Sequence, residues 1–494
     1  MKFEEYRQLD GLALAKAVAE KQVTPAELLE VAIARANAVD PVLNAMVTPL
    51  YEEARKVAAQ PLSGPLAGVP MLVKDYFQEM AGVPHYMGNL GLKNRQHRAE
   101  QDAELIKRWR QAGLVIFGRT STPEFAIKGV TEPEATGITR NPWNLQHTPG
   151  GSSGGSAALV AAGVVPVAGA NDGGGSIRIP AANCGLFGLK PGRGRVPWGP
   201  SMVEAMHGMA INHVVSRSVR DSAAWLDVSH GEELGSLVKL EKPETSFLAA
   251  TETPPGKLKI AVSTQSPIGS EVHPEAVKAV ENTIQLLEDL GHEVEEAAPA
   301  IDGEAMMQQW LRMWFVNCAV TVNQVRALGV SDDEIEVDTR VMAAVGAGIL
   351  GTDYVAGYYE IQGYGQQWDA FLQQYDVWLT PTLGMPPAEI GALSTPPLQQ
   401  KAAALGLKVG AANVIRRSGL LERMAMENLK YTPFTQMANV LGVPAMSVPL
   451  HWCENGLPLG VHFMGGHGDE AKLLSLAAQL EVAQPWFERT PKAV

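Results

Sequence analysis

The chain runs Pro149-Gly-Gly-Ser-Ser-Gly-Gly-Ser156, then an apolar segment, then Asn171-Asp-Gly-Gly-Gly-Ser-Ile-Arg-Ile-Pro180. The apolar segment between these two glycine- and serine-rich clusters predicts a helix followed by a strand. A flexible linker would repeat glycine and serine without pattern, whereas each cluster here adjoins strongly ordered sequence. The layout therefore indicates an active site rather than a linker.

On both sides of these clusters, short apolar runs alternate with helical patterns. The runs predict strands over 69–73, 114–117, 164–168, 258–262 and 293–294, and the periodic stretches predict helices over 102–112, 156–162 and 274–290. Such alternation predicts an α/β fold, with a central twisted mixed β-sheet and helices on both of its faces. The polar stretch 229–256 is expected to be a surface excursion.

A single domain over 1–494 is the expected organisation, because strand and helix patterns resume after every interruption. Within it we distinguish a helical lead-in over about 1–62, a core over about 63–228, a variable helix-rich part over about 300–375, and closing strands and a helix over about 376–485.

Composition excludes several classes of protein. The formal net charge of -13 argues against a surface that tracks phosphates, so no nucleic-acid partner is expected. The longest apolar run, 157–170, is shorter than the roughly 18 residues that a membrane span needs, and no secretory signal is visible at the N-terminus. We expect a cytoplasmic protein without a membrane partner.

Neither cysteines nor histidines form a metal signature. The three cysteines are widely scattered, and the eleven histidines never adopt a recognised ligand spacing, so a zinc site would need distant residues that the sequence cannot connect. Phosphate-loop and dinucleotide motifs are also missing. We predict no metal and no cofactor.

Three residues could carry chemistry. Three glycines precede Ser176, so its loop can present several N–H groups to an oxyanion, although a glycine-rich βα turn is the common alternative. Lys74 ends an apolar run, where burial would favour a neutral amine, whereas pairing with Asp75 is the ordinary outcome. Ser152 and Ser153 both fit a G-x-S-x-G frame, but the polar, proline-bearing stretch before them does not suit a nucleophile elbow.

Taken together, these residues and their surroundings resemble the amidase signature family of serine hydrolases. The resemblance covers about 24–485 and is carried by the following stretches: Ala67-Gly-Val-Pro-Met-Leu-Val-Lys-Asp75, the two clusters quoted above, Gly185-Leu-Phe-Gly-Leu-Lys-Pro191, Ser216-Arg-Ser-Val-Arg-Asp221, Leu379-Thr-Pro-Thr382 and Pro458-Leu-Gly-Val461.

The resemblance implies a Ser-cisSer-Lys triad, with Ser176 as nucleophile, Ser152 as the bridging serine on a cis peptide, and Lys74 as the base. It also implies an oxyanion hole, which we expect the backbone N–H groups of Gly173, Gly174, Gly175 and Ser176 to form.

Ser153, Asp172 and Arg178 flank these residues and are interpreted as structural. Ser153 is expected to bond the loop backbone or cap the following helix. Asp172 and Arg178 are expected to tie the nucleophile loop through hydrogen bonds or an ion pair.

Within the family, 131–134, 139–145 and 170–176 look most like the 6-aminohexanoate cyclic dimer hydrolases, the nylon-oligomer branch. Two substrate-binding candidates follow. Cys318 falls where that branch has a pocket cysteine, with a core cysteine as an equal alternative. Ile127 stands where a polar, substrate-facing Asn is expected, so a more hydrophobic acyl or aryl amide is an alternative to cyclic oligomers.

The predicted function is hydrolysis of a small-molecule carboxamide, including 6-aminohexanoate oligomers as candidate substrates. The alternatives are an aryl or fatty acylamidase with side esterase activity, a glutaminase-type amidotransferase subunit that depends on partner chains, and a catalytically silent member of the fold. A homodimer is the expected assembly by analogy with common soluble enzymes.

Overall fold

The computed structural model describes residues 1–241, 243–408 and 419–494. Eleven strands within these ranges form one sheet of five strands and one of six. They are β1 (Met46–Pro49), β2 (Pro70–Lys74), β3 (Val115–Thr120), β4 (Val167–Asp172), β5 (Gly188–Lys190), β6 (Ile211–Ser216), β7 (Lys259–Val262), β8 (Glu293–Glu296), β9 (Val377–Pro381), β10 (Ala445–Trp452) and β11 (Pro458–Met464).

One pair of residues joins the two sheets. Phe187, just before β5, and Ser216, at the end of β6, exchange backbone hydrogen bonds of 3.0 and 3.1 Å. The strand order is therefore continuous, β1-β3-β2-β4-β6 followed by β5-β10-β11-β9-β7-β8. Strand β2 is parallel to β3 and β4, whereas β4 is antiparallel to β6. The predicted mixed α/β sheet is confirmed.

Helices flank this sheet throughout the described residues. They are α1 (Phe3–Tyr6), α2 (Gly11–Ala19), α3 (Pro25–Leu43), α4 (Tyr51–Ala58), α5 (Leu90–Asn94), α6 (Glu104–Gln111), α7 (Gly154–Ala161), α8 (Arg178–Cys184), α9 (Val219–Ser229), α10 (Phe247–Ala250), α11 (Pro274–Asp289), α12 (Gly303–Ala327), α13 (Val337–Ala347), α14 (Gly351–Leu372), α15 (Pro397–Lys408), α16 (Leu420–Leu429), α17 (Gln436–Leu441) and α18 (Glu470–Ala483).

Strand β4 begins three residues later than the sequence predicts. Helix α7 ends at Ala161, and Gly163 then adopts a positive φ of 78°. The N–H of Val164 still bonds back to the carbonyl of Leu159 at 3.0 Å, so Val164 completes the turn instead of opening the strand. The shift carries β4 through to Asp172, directly before the glycines of the second cluster.

Helices α12, α13 and α14 occupy the variable part and form an apolar cluster of their own with the sheet. The cluster includes Trp310 of α12, Trp368 of α14 and Trp378 of β9. Trp310 stacks on Trp314 with ring centroids 4.8 Å apart. This packing places α12 beside the part of the sheet formed by β7, β9, β10 and β11.

The stretch 229–256 crosses the surface with few ordered elements. Its short helix α10 is anchored by Phe247, which is buried.

Among the described residues no single helix has the length and apolarity to cross a membrane. Helices α13 and α14 meet that test only as a pair, with a bend of 94° between them.

Candidate active site

Lys74, Asn171 and Asp172 lie together because of the parallel pairing of two strands. Lys74 is the last residue of β2, and Asn171 and Asp172 end β4. The two strands pair in parallel through Leu72 and Ala168, so their carboxyl ends meet at one edge of the sheet. Such edges are where α/β proteins build their clefts.

The ammonium group of Lys74 is fully buried and lies within hydrogen-bond distance of three side chains. Its Nζ is 2.7 Å from Ser152 Oγ, 2.9 Å from Ser153 Oγ and 2.7 Å from Asn171 Oδ1. Burial lowers the pKa of Lys74 well below its ordinary value, and the negative charge of Asp172 opposes that shift only in part. The site therefore favours the neutral amine.

Asn171 is a residue that the sequence analysis quoted but gave no role. Its Nδ2 donates to the carbonyl of Tyr76 at 2.8 Å, which turns Oδ1 toward Lys74. The sequence feature that could have identified Asn171 is its position next to Asp172, at the end of a predicted strand that faces the strand of Lys74.

The two serines of the first cluster sit at the start of α7. The Gly151–Ser152 peptide bond is cis, as the resemblance implies. Ser153 precedes the first residue of α7, but its side chain makes no capping bond. Its hydroxyl instead donates to the carbonyl of Asn171 at 3.3 Å and contacts Lys74, so the capping alternative for Ser153 is wrong.

Ser176 is buried and lines a cavity in front of the sheet edge. Within the described chain no hydrogen bond links the Ser176 hydroxyl to Ser152. The structure thus brings Lys74 and Ser152 into contact and places Ser176 at the cavity wall. The contact between Ser176 and Ser152 that a triad requires is not formed among the described residues.

An ion pair behind Ser176 fixes the shape of its loop. The Asp172 carboxylate accepts hydrogen bonds from Arg178 Nε at 2.9 Å and Arg178 Nη2 at 3.0 Å, and both side chains are fully buried. The same carboxylate accepts the backbone N–H groups of Gly175 at 2.6 Å and Ile177 at 3.2 Å. Asp172 and Arg178 therefore lie where the structural interpretation puts them.

This arrangement corrects the predicted oxyanion hole. The N–H of Gly175 points to Asp172 and is not available to a substrate oxygen. Gly175 has a φ of +126°, and a Cβ there would lie 2.5 Å from Thr435 Oγ1. The position thus requires glycine for its backbone conformation. Gly173, Gly174 and Ser176 keep their place as predicted donors.

Asn439 and His462 complete the support of the ion pair, and the sequence analysis missed both. Asn439 Oδ1 accepts from Arg178 at 2.7 Å, while its Nδ2 donates to the Asp172 carboxylate at 2.8 Å. His462 Nε2 lies 2.9 Å from Arg178 Nη1. Burial and the nearby Arg178 hold the pKa of His462 well below its ordinary value, so a neutral ring accepts that bond. Their partners are more than 250 residues away in sequence, which no local pattern reveals.

The charges of the network are set by the same contacts. Burial raises the pKa of Asp172, but Arg178, Lys190 and Asn439 together outweigh burial and bring that pKa below its ordinary value. Burial, and then repulsion from Arg178, lowers the pKa of Lys190 to about 7. Asp172 is therefore an ionised carboxylate paired with a charged Arg178.

Trp310 of helix α12 packs directly on the loop that carries Ser176. Its Nε1 donates to the carbonyl of Gly173 at 3.1 Å. A Cβ on Gly174 would lie 2.5 Å from the Trp310 ring, so this close approach also requires glycine. The variable helix thus touches the loop that carries Ser176.

The cavity in front of Ser176 has a volume of about 690 Å³ and is largely apolar. Its apolar walls come from the following residues: Ile127, Val130, Ile179, Trp310, Trp314, Phe315, Val341, Met342, Leu421 and Leu429. Its polar groups include Lys128, Asp338, Gln399, Asn428 and Gln436. Lys128 is itself paired with Glu336 and Asp338, each at 3.0 Å.

The two predicted substrate-binding residues have different outcomes. Ile127 lines the cavity. Cys318 does not: it packs in a separate apolar cluster with Phe125 and Val322, and its thiol lies 3.5 Å from the carbonyl of Thr339. Burial raises the pKa of Cys318 to about 12. This packing favours the core alternative for Cys318 over the pocket alternative.

Comparisons with known proteins identify a matching family and related chains. A family model described as amidase matches residues 27–474. The 6-aminohexanoate-cyclic-dimer hydrolase of Pseudomonas sp. (strain NK87) is 35% identical, over 98% of this chain and 96% of that protein. A solved structure of 6-aminohexanoate cyclic dimer hydrolase complexed with substrate superposes with a TM-score of 0.90 at 35% identity, covering 99% of both chains. A bacterial aryl acylamidase superposes with a TM-score of 0.83 at 26% identity, covering 97% of this chain and 98% of that one.

Proposed function

Because the chain belongs to the amidase signature family, whose members are hydrolases of carbon–nitrogen bonds other than peptide bonds, we propose that Ser176, Ser152 and Lys74 carry out the hydrolysis here. Ser176 attacks the carboxamide carbonyl and forms an acyl-enzyme. Ser152 relays the proton, and Lys74 is the final base.

The hydrogen-bond partners of Lys74 carry this proposal. A neutral amine has two N–H donors and one lone pair. Asn171 Oδ1 can only accept, and the one hydroxyl proton of Ser153 is given to the Asn171 carbonyl, so Ser153 must also accept from Lys74. Both donors are then used, and the lone pair faces the hydroxyl of Ser152 at 2.7 Å. Ser152 is the serine that can give its proton to the lysine.

The direction of each proton transfer follows from this arrangement of donors and acceptors at Lys74. As Ser176 Oγ bonds to the carbonyl carbon, its proton passes to Ser152, whose own proton passes to Lys74. The C–N bond then breaks as Lys74 returns a proton through Ser152 to the leaving amine. Water, deprotonated by the same relay, cleaves the ester on Ser176 and releases the carboxylic acid.

The negative charge on the substrate oxygen needs donors that do not move during the reaction. We assign them to the N–H groups of Gly173, Gly174 and Ser176. The Asp172–Arg178 pair holds this loop from behind, and preorganised donors of this kind are each worth about 3–4 kcal/mol of barrier.

The cavity favours a substrate with an extended apolar part. A largely apolar volume of about 690 Å³ suits a methylene chain or an aromatic ring. We propose amides of six-carbon amino acids, such as 6-aminohexanoate oligomers, as the first candidates. Aryl and fatty amides are the second, because Ile127 offers the cavity no hydrogen bond to an additional substrate amide.

A substrate panel tests the proposal. Wild type and Ser176→Ala would be assayed by amine release from linear and cyclic 6-aminohexanoate oligomers, fatty amides, an aryl anilide and glutamine. We expect turnover of the apolar amides by wild type and none by the variant. Turnover of glutamine alone would favour the partner-dependent alternative. Undiminished turnover by Ser176→Ala would refute the assignment of the nucleophile.

A cytoplasmic location, a homodimeric assembly and a single-domain organisation are proposed from the sequence alone. Analytical ultracentrifugation of the purified chain measures the assembly, and a monomer at micromolar concentration would exclude the dimer.

A further inference from the structure

Helix α11, the end of β10 and the turn that follows it bring three metal-binding side chains together. They are Glu275, His451 and Cys453, whose ligand atoms all lie within 4.8 Å of one another. We infer that this cluster is a binding site for a divalent transition metal, with Zn²⁺ as the best match. The sequence analysis expects no metal because no recognised ligand spacing is present, and a site assembled from distant residues cannot be connected from the sequence.

The backbone explains why these side chains meet. His451 lies in β10 and Cys453 follows the end of that strand, two residues later, so both project from the same face. Glu275 lies in the first turn of α11, which packs against β11 and β10. The Glu275 carboxylate also accepts the N–H of Glu454 at 3.1 Å, which fixes the helix to the turn.

The chemical types of the three ligand atoms indicate which metal ion would bind. A thiolate, an imidazole nitrogen and a carboxylate oxygen form a mixed set that suits zinc, whereas Ca²⁺ and Mg²⁺ prefer oxygen ligands. Two of the three ligands are anionic when they bind, so their charge balances that of a divalent ion. Three protein ligands and a water complete the usual tetrahedron of an open zinc site.

The spacing between Glu275 and His451 needs only a small adjustment. His451 Nε2 and Glu275 Oε2 are 2.7 Å apart, as a hydrogen-bonded pair. Two ligands of one tetrahedral zinc ion lie about 3.4 Å apart, so the carboxylate must withdraw by less than 1 Å. His451 and Cys453 are buried while the Glu275 side chain is 14% exposed, so the adjustable ligand faces the solvent.

Glu275, His451 and Cys453 are not among the residues that line the cavity in front of Ser176. Cys453 packs in an apolar cluster with Ala276 of α11 and Leu459 of β11, so a bound ion would join the hairpin to the helix. We therefore expect the metal to stabilise this part of the fold without taking part in amide hydrolysis.

The test uses the full chain, stripped with a chelator and then titrated with ZnCl₂ by calorimetry and with CoCl₂ by absorption. We expect one zinc per chain and a thiolate-to-cobalt charge-transfer band in the near ultraviolet. Cys453→Ser should remove the band and weaken zinc binding by more than the roughly 10–100-fold that loss of an outer-shell partner costs. It should also abolish any rise in melting temperature on adding zinc.

Cys318→Ser is the matched control, because Cys318 is a buried cysteine outside both sites, and it should bind like wild type. Circular dichroism and retained amide hydrolysis would show that Cys453→Ser folds. Equal zinc affinity in wild type and Cys453→Ser, or a cobalt complex without the charge-transfer band, would overturn the inference.

Discussion

The proposed proton relay and the cavity in front of Ser176 consist of different kinds of side chain. The relay consists of buried polar groups at the ends of β2 and β4, where each hydrogen bond depends on another. The cavity consists mainly of apolar side chains from α12, α13 and α16. The difference teaches that the chemistry depends on which atom accepts a proton, whereas the choice of substrate depends on the shape of the whole cavity wall. Changes to the relay should therefore have large effects, and changes to the cavity small ones.

Within the proposed relay, the adjacent serines Ser152 and Ser153 should differ most in their effect on catalysis. Both contact Lys74, but in the proposed relay only Ser152 faces its lone pair, so Ser152→Ala should lower kcat by about a thousandfold or more. Ser153→Ala removes an acceptor and should cost about tenfold, as the loss of one hydrogen bond does. Steady-state kinetics on one amide substrate measures both, and equal losses would contradict the assigned polarity.

The ion pair behind the nucleophile loop should matter most for stability. Asp172→Asn leaves the buried Arg178 without its counter-charge, which typically costs about 3–5 kcal/mol of unfolding free energy. The exposed pair of Arg326 and Asp332 is the control, and Arg326→Gln should cost less than about 1 kcal/mol. Denaturant titrations compare the two variants. Similar losses would show that the buried pair does not hold the loop.

The cavity should respond through its choice of substrate. Ile127→Asn places an amide in the apolar wall and should lower kcat/KM for a fatty or aryl amide by about tenfold, while a substrate with a second amide loses less. Cys318→Ser, outside the cavity, should change neither value by more than about twofold. A uniform effect of Ile127→Asn on all substrates would place Ile127 outside the substrate contacts.

The smallest expected effect is at Trp310, which lines the cavity and also contacts the loop that carries Ser176. Trp310→Phe keeps an aromatic wall but removes the hydrogen bond to the Gly173 carbonyl, which is worth about 1 kcal/mol. We expect kcat to fall by about fivefold with little change in KM. Trp314→Phe, which keeps the stacking but breaks no bond to the loop, should leave kcat nearly unchanged.

Local patterns marked Lys74, Ser152 and Ser176 as candidates, because Lys74 ends an apolar strand and both serines stand in glycine-rich turns. Their roles in the proposed relay came from the resemblance to the amidase signature family, and the structure shows the contact between Lys74 and Ser152. The orientation of the Gly175 N–H does not follow from local patterns, because it depends on a backbone angle of +126° that the glycine permits but does not dictate. The donors of the oxyanion hole could therefore be predicted only in part.

The cavity could be predicted much less well. Phe315 and Cys318 are neighbours on one face of α12, yet Phe315 lines the cavity and Cys318 turns toward Thr339 of α13. Which of the two faces the substrate depends on how α12 and α13 pack, and that packing is not encoded by either helix alone. The Glu275–His451–Cys453 cluster was hidden for the same reason, since the fold and not the spacing brings it together.

The most direct test of the neutral Lys74 is the pH dependence of covalent labelling of Ser176 by a fluorophosphonate. Burial lowers the pKa of Lys74, so its neutral form persists as the pH falls well below the ordinary lysine range. We predict a labelling rate that is already at its plateau near neutral pH and falls only in more acidic solution, with that dependence lost in Lys74→Met. A rate that keeps rising until pH 10 or above, near the ordinary lysine pKa of about 10.4, would contradict the account.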